Sequence, residues 1–312
     1  QRQVTSRYLW YLLANEGFYE YANIALAVGS TNQTELGREP LRTHRISPPP
    51  LEAQRRVVDF LDNEVGRLDE LISEQRDLLL LLAERRSASV FDAVTGRSLS
   101  GVRRVGVPWV EDIPAEWAVA KLTSVASLGS GHTPARGRPE LWEDCTIPWI
   151  TTGEVWQVRS DVQEVITETR ECISPAGVAE SAAVVHPKDT VVLCRTAASA
   201  GYSGVMGVDM ATSQDFATWT CGPRLRHRFL LHCLRAMRRD LLERLAIGST
   251  HRTIYMPEIK GIVIPLPPVE VQDRILAELS ETLSVLDTTR SELERQIDLP
   301  QEHRQALITA AV

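Results

Sequence analysis

Pro49-Pro50-Leu51-Glu52-Ala53-Gln54-Arg55-Arg56 opens a stretch that runs to Val94, and Pro267-Pro268-Val269-Glu270-Val271-Gln272-Asp273-Arg274 opens one that runs to Val312. The two align without a gap, Leu51 on Val269 through Val94 on Val312. Glu52, Gln54, Arg56, Leu61, Leu68, Asp69, Glu74, Leu81, Glu84, Arg86, Ala88, Ala93 and Val94 all fall on identical residues. An internal duplication of this length sets the architecture before any single motif does.

Both copies read as helix. Pro50 and Pro268 sit where a first helical turn tolerates a missing N–H, and a glutamate follows two positions later near the positive end of the helix dipole. Apolar residues then recur at spacings of four and three: Leu61, Val65, Leu68, Ile72 and Leu79 in the first copy, Leu279, Leu283, Leu286, Leu293 and Ile297 in the second. That is the seam of a coiled coil, interrupted at Gln75 in one copy and at Arg290 in the other. Pro300 is expected to bend or end the second helix about two-thirds along. A helix of some forty residues extends roughly 60 Å, too long to bury its stripe on a small domain, so each copy needs a partner helix and the other copy is the nearest one.

Composition sets bounds on the rest. At 312 residues there is room for two domains besides the helices, and the formal net charge of −7 does not advertise nucleic-acid binding, although a local basic patch can hide in such a total. The five cysteines (Cys145, Cys172, Cys194, Cys221 and Cys233) are odd in number and form no CxxC pair, as expected of a reduced, cytoplasmic protein. Leu78–Ala83 is the longest wholly apolar run, far too short to span a bilayer, and Tyr8–Leu13 is too short for a signal peptide.

The order of motifs before each helix also repeats. Arg7-Tyr8-Leu9-Trp10-Tyr11-Leu12-Leu13 precedes Ala27-Val28-Gly29-Ser30-Thr31, as Arg228-Phe229-Leu230-Leu231-His232-Cys233-Leu234 precedes Ala246-Ile247-Gly248-Ser249-Thr250. Residues 1–48 therefore read as the end of a first globular domain, 49–106 as the first helix and a Gly/Ser-punctuated linker, 107–266 as a complete second domain, and 267–312 as the second helix. The chain begins at Gln1 in mid-pattern, as a fragment would. Within 107–266, short strands are expected around Trp117–Leu128, Ile147–Ile150 and either side of the turn in Val184–Leu193. Trp109 and Trp117 read as exposed, Trp149 as core, and Gly129-Ser130-Gly131-His132-Thr133-Pro134 as a flexible loop. Arg228–Leu245 has helical spacing, with Arg235, Arg238, Arg239 and Arg244 on its polar side. The fold class is α+β: a globular domain plus two long antiparallel helices that form an intramolecular coiled coil.

Sites for chemistry are sought and not found. No Asn/Asp-Pro-Pro-aromatic turn of an adenine methyltransferase, no GxxxxGK[ST], no GxGxxG and no HExxH occurs, and Gly201-Tyr202-Ser203-Gly204 fails the spacing of a nucleophile elbow. Glu258-Ile259-Lys260 has the spacing of a nuclease tail without a second acid in a convincing strand.

Three patterns together resemble a known family, the DNA specificity (S) subunit of type I restriction-modification enzymes. They are Trp117…Leu122…Gly129-x-Gly131-x-Thr133-Pro134…Ile147-Pro148-Trp149-Ile150…Gly153, then Ala211-Thr212-Ser213-Gln214-Asp215, then Gly248-Ser249-Thr250 leading to Ile264-Pro265-Leu266-Pro267-Pro268-x-Glu270-x-Gln272. The likeness covers nearly the whole chain and departs from the family where most of a first target recognition domain would stand. It implies a protein without chemistry or a cofactor of its own, holding recognition domains on two antiparallel helices. The expected partners are double-stranded DNA, methyltransferase (M) subunits and a restriction (R) subunit, with S-adenosylmethionine, ATP and Mg on those partners, no membrane, and self-association if the subunit is of a half type.

On that reading, affinity requires cations near phosphates and specificity requires side chains that reach base edges. The candidates are Thr133, Arg136, Arg138, Thr151, Arg195, Thr196, Ser213, Gln214, Ser249, Thr250, His251 and Arg252, with Gln214 offering an amide to adenine and the turn at 248–250 offering N–H groups to a phosphate. Arg224, Arg226, Arg228, Arg235, Arg238 and Arg239 make the densest basic stretch. The competing reading is a coiled-coil adaptor whose globular domain binds protein rather than DNA.

Overall fold

The computed structural model describes residues 3–28, 35–97, 99, 101–248 and 252–312. Its contacts divide into two units, Gln1–Ala83 with Thr288–Val312, and Glu84–Asp287. Helix α1 is Ser6–Ala14, α2 is Leu51–Thr95, α3 is His227–Ala236 and α4 is Val269–Ala311.

In the first unit, Leu61 and Val65 of α2 are buried with Tyr11 of α1 and Ile308 of α4. Arg304 Nε donates to Asp69 Oδ1 at 2.7 Å. As α2 rises from Leu61 to Asp69, its partner descends from Ile308 to Arg304, so the helices are antiparallel here. In the second unit Val90 of α2 is buried with Leu279 and Leu283 of α4, and Arg86 Nε donates to Asp287 Oδ1 at 3.0 Å. The order is again antiparallel. These are the same contacts made twice: in the alignment of the copies Leu61 lies on Leu279, Val65 on Leu283, Asp69 on Asp287, Arg86 on Arg304 and Val90 on Ile308. Every seam position is buried or half-buried, including Leu68, Ile72, Leu79, Leu286, Leu293 and Ile297.

Equivalent ion pairs in unequal surroundings give a direct test. The side chains of Arg86 and Asp287 are 10% and 21% exposed, whereas those of Arg304 and Asp69 are 27% and 53% exposed. Arg86 also donates through Nη2 to the Asp161 carbonyl at 2.6 Å. Arg86→Met is therefore expected to cost about 3 kcal/mol, leaving Asp287 in poor solvent, and Arg304→Met under about 1 kcal/mol. Urea melts of the two variants, each with its Asp→Asn counterpart to close a double-mutant cycle, measure both couplings.

Of the two outcomes expected at Pro300, a bend or an end, the end does not occur: α4 runs on to Ala311. The missing N–H deprives the Gln296 carbonyl of its helical partner, yet the turns beyond are held to the rest of the unit through Arg304 and Ile308.

The globular part of the second unit is built on two sheets. The strands of these two, which are larger than the three two-stranded pairings beside them among the described residues, are β1 Ala126–Ser130, β2 Ile147–Ile150, β3 Val165–Ile166, β4 Cys172–Ile173, β5 Val185–His186, β6 Val191–Cys194, β7 Ser203–Met206, β8 Met210–Thr212 and β9 Phe216–Cys221. One sheet has the order β1-β9-β6-β7-β3 and the other β5-β8-β2-β4. The β7–β3 and β8–β2 pairings are parallel and the remaining pairs antiparallel. Strand β6 is buried on both faces, which explains its unbroken apolar run. Val191 and Leu193 join Phe229, Leu230, Leu231 and Leu234 of α3 in one core, while Val192 and Cys194 join Ile150, Met206, Met210 and Phe216 in another.

Several local expectations are corrected. Gly129 and Ser130 belong to β1, opposite Thr218 and Ala217, rather than to a flexible loop. The glycine is there for proximity, since a Cβ on Gly129 would lie 2.7 Å from Thr218 Oγ1 and 2.9 Å from His186 Cε1. Trp117 is 1% exposed, packed with Val107, Val110 and Ile113, and Trp109 donates its indole N–H to the Val263 carbonyl at 2.9 Å. Trp149 is core. The helical stretch after Arg228 breaks into α3, a turn at Arg238–Asp240 and a wider one at Leu241–Leu245. Arg235 is buried, contrary to its place on the polar side of the helical pattern, because the Asp161 and Gln163 carbonyls accept from its guanidinium at 2.6 and 2.8 Å.

Candidate nucleic-acid interface

Two sheets end at one place. Ser213-Gln214-Asp215 carries the chain from β8 in one sheet to β9 in the other, in a tight turn set by serine: the Ser213 carbonyl accepts from the Phe216 N–H at 3.3 Å, and its hydroxyl accepts from the Asp215 N–H at 3.3 Å. The end of β2 is tied in where the Ser213 N–H donates to the Ile150 carbonyl, next to Thr151. The segment after β1 is tied in where the His132 N–H donates to the Thr212 carbonyl at 3.0 Å. A Cβ on Gly131 would stand 1.8 Å from that same carbonyl oxygen, so only glycine permits the approach.

Polar side chains gather on this junction. Thr133 Oγ1 donates to Gln214 Oε1 at 2.7 Å, fixing which end of an exposed amide points where. Asp215 is the pivot beneath it, accepting from Thr196 Oγ1 at 2.9 Å and from Ser213 Oγ at 3.1 Å. Arg195, half-buried, donates to the Ile254 carbonyl at 3.1 Å and to the Gln214 carbonyl. Burial lowers its pKa from the ordinary guanidinium value. Arg252 joins through its carbonyl, which accepts from the Ala197 N–H at 2.9 Å. Ala197 itself has a positive φ of 53°, a backbone state that costs energy without glycine and that marks the turn as held by its surroundings.

Of the twelve sequence candidates, Thr133, Arg195, Thr196, Ser213, Gln214 and Arg252 thus meet at one junction, with Thr151 beside it. Ser213, 3% exposed, serves the turn rather than the surface. Arg136 and Arg138 are exposed and already engaged. Arg136 pairs with Glu171 at 3.1 Å and lies 4.2 Å above the ring of Trp142, and Arg138 pairs with Glu140 at 2.7 Å and Glu180 at 2.8 Å. Ser249, Thr250 and His251 lie outside the described residues.

Most of the dense basic stretch is engaged in ion pairs. Arg226 pairs with Asp273, Arg228 with Glu164, Arg238 with Asp161 and Arg239 with Glu243. Glu164 also accepts from the buried His232 at 3.3 Å. Burial alone would raise the Glu164 carboxyl, but the hydrogen bonds and charges of His232 and Arg228 outweigh it and hold the group at about 2. Burial pushes His232 below its usual value, against the opposing pull of the Glu164 carboxylate to which it donates through Nε2. Both groups favour the fold when unprotonated relative to the unfolded chain. Their stabilisation is complete above about pH 6.5 and declines on acidification, first as unfolded histidine and then as unfolded glutamate take up protons, until about pH 2. Thermal melts from pH 7 to pH 3 are expected to fall for the wild type and to fall less steeply below pH 4.5 for Glu164→Gln.

Sequence reasoning did not find the role of Gln54 and Gln272, both 0% exposed. The signal was present in the identity of the two residues between copies. Trp156, 57% exposed with the Arg170 guanidinium 5.2 Å from its ring, carried no such signal. Among the described residues no group of three or more His, Cys, Asp or Glu could hold a metal ion, and no helix is long and apolar enough to cross a membrane.

Residues 114–299 match the family described as the type I restriction modification DNA specificity domain. The chain is similar to the type I restriction enzyme MjaIX specificity subunit of Methanocaldococcus jannaschii, at 25% identity over 170 residues, 54% of this chain and 38% of that protein. To the EcoR124I/EcoR124II specificity subunit of Escherichia coli it is 21% identical over 191 residues, 60% of this chain and 45% of the relative. It therefore spans less than half the length of these curated relatives. Among solved structures, the HsdS subunit from Thermoanaerobacter tengcongensis superposes with a TM-score of 0.50 at 17% identity, covering 99% of this chain and 70% of that one. A chain from a type I R-M system, solved to show complex assembly and conformational transition, gives a TM-score of 0.66, also at 17% identity, covering 97% and 70%. At that identity the superpositions speak for the fold.

Proposed function

The chain belongs to the type I restriction-modification DNA specificity family, and from that premise we propose that it is the sequence-reading component of a DNA methylation-restriction complex. It acts without catalysis of its own, and M and R subunits bring S-adenosylmethionine, ATP and Mg. The observation that carries this reading is the exposed Gln214 amide, anchored by Thr133 at a junction of two sheets and bordered by Arg195 and Arg252. A glutamine reads adenine in the major groove by donating to N7 and accepting from N6. With one Oε1 lone pair taken by Thr133, the other lone pair and the Nε2 donors remain for that pairing. Thr151 and Thr196 flank it, and the arginines supply phosphate contacts.

The helices supply the other half of the proposal. Leu71, Leu78 and Leu81 of α2 and Leu299 of α4 are exposed in the first unit, an apolar face suited to helices of an M subunit. The adaptor reading has no comparable support, since the family match covers the globular part itself.

Fluorescence anisotropy on duplexes of varied sequence, with and without the M subunit, tests the assignment. Binding that discriminates between sequences is expected, tightest with the partner present. Gln214→Ala should reduce discrimination at one base pair by about 1–3 kcal/mol while leaving non-specific affinity nearly unchanged. Indifference to sequence in the wild type, with the M subunit bound, would overturn the reading.

A further inference from the structure

Within the second unit, a cavity of about 440 Å³ opens between α2, α3 and the turns that follow α3. Its walls carry five arginines, Arg86, Arg235, Arg238, Arg239 and Arg252, against two carboxylates, Asp161 and Glu243. In a chain with a formal net charge of −7, this is a local reversal of sign. We propose that the cavity is an oxyanion site for a phosphate group, held by guanidinium donors that the fold leaves unspent.

The donor inventory supports this. Each arginine has five N–H donors. Arg86 spends one on Asp287 and one on the Asp161 carbonyl. Arg235 spends one on the Asp161 carbonyl and one on that of Gln163, while its Nε lies 3.4 Å from Asp161 Oδ1 without a hydrogen bond. Arg238 gives three, two to the Asp161 carboxylate and one to the Gly201 carbonyl. Arg239 gives one to Glu243, and the Arg252 side chain has no partner among the described residues. Asp161 is therefore saturated, with its carboxylate and its carbonyl both occupied and its own φ at 61°. The surplus is donor on one side only.

Placement makes the surplus useful. Arg238 is fixed 4.4 Å above the ring of Tyr202, and Arg235 is locked by two carbonyls, so neither loses much side-chain entropy on binding. Planar guanidinium forks suit phosphate oxygens, and the size of the cavity falls in the range of ordinary ligand pockets. Through Arg252 it borders the junction that carries Arg195 and Gln214. The same chemistry fits a phosphate of a DNA backbone or a free phosphate compound. The inference stands apart from the reading of base sequence, because an oxyanion site can be tested without DNA.

The test is a calorimetric titration of the full-length chain with inorganic phosphate at constant ionic strength, repeated on Arg239→Ala/Arg252→Ala. The Arg239 side chain is 87% exposed and Arg252 is exposed, so the fold should tolerate both changes, and an unchanged thermal melt checks it. Arg67→Ala, an exposed arginine of the first unit, serves as control. The expected result is a Kd of about 1 mM or tighter, weakened at least about tenfold in the double variant and unchanged in the control. If duplex DNA displaces the phosphate, and Arg239→Ala alone lowers the salt dependence of DNA binding by about one ion, the source is the backbone. If a nucleoside monophosphate binds more tightly than phosphate while that salt dependence stays fixed, the source is a free phosphate compound. No measurable binding, or binding equally affected by Arg67→Ala, overturns the proposal.

Discussion

Gln272→Leu is expected to lower the stability of the second unit by about 3–5 kcal/mol, or roughly 10 °C in melting temperature. Gln272 is fully buried at the start of α4. Its Nε2 donates to the Arg224 and Pro267 carbonyls, each at 2.9 Å, and its Oε1 accepts from the Arg226 N–H at 2.9 Å. One side chain thus satisfies three backbone groups and fastens the chain entering α3 to the chain entering α4. Leucine fills the space and satisfies none of them. The penalty is the desolvation of the orphaned groups, which exceeds the net worth of the hydrogen bonds. Gln54 makes the equivalent set in the first unit, donating to the Gln3 and Pro49 carbonyls at 2.9 and 2.8 Å and accepting from the Thr5 N–H at 2.9 Å. Chemical denaturation of Gln272→Leu measures the effect. A loss below about 1 kcal/mol would mean that water takes the place of the amide.

Gly131→Ala should be nearly as damaging, at about 2–4 kcal/mol, and should also abolish discrimination among DNA sequences. The new Cβ would fall 1.8 Å from the Thr212 carbonyl oxygen and 2.3 Å from its carbon, both backbone atoms with nowhere to go. Relief requires the end of β1 to move off β8, breaking the bond from His132 N–H to Thr212 and drawing Thr133 away from Gln214. Gly129→Ala meets side-chain atoms of Thr218 and His186 instead, and is expected to be milder. Melting curves and duplex binding for the two variants check both the size and the order. A Gly131→Ala protein that melts and discriminates like the wild type would remove the close approach from the account.

The candidate site was legible in part. Thr133 and Gln214 were singled out separately, from a glycine-bearing stretch and from Ser213-Gln214-Asp215, and the fold joins them by a hydrogen bond across two sheets. Arg235 and Arg238 were misjudged for a physical reason. Helical spacing tells which residues share a face, but whether a face is wet depends on what packs there. For Arg235 and Arg238 that is the loop at Asp161, distant in sequence and carrying no pattern that announces it. The glycines misled in the same way, since a tight backbone approach and a flexible loop use the same letter.

By itself the sequence determined the duplicated helices, their seam and their need for one another, because apolar periodicity and an ungapped repeat are properties of the chain read locally. Only the tertiary structure decided what the identical polar residues do: Gln54 and Gln272 as buried clamps, and Asp69 with Arg304 and Arg86 with Asp287 as one ion pair formed twice. Hydrogen-bond partners and degrees of burial arise between segments far apart in the chain, and they exist only once those segments have been brought together.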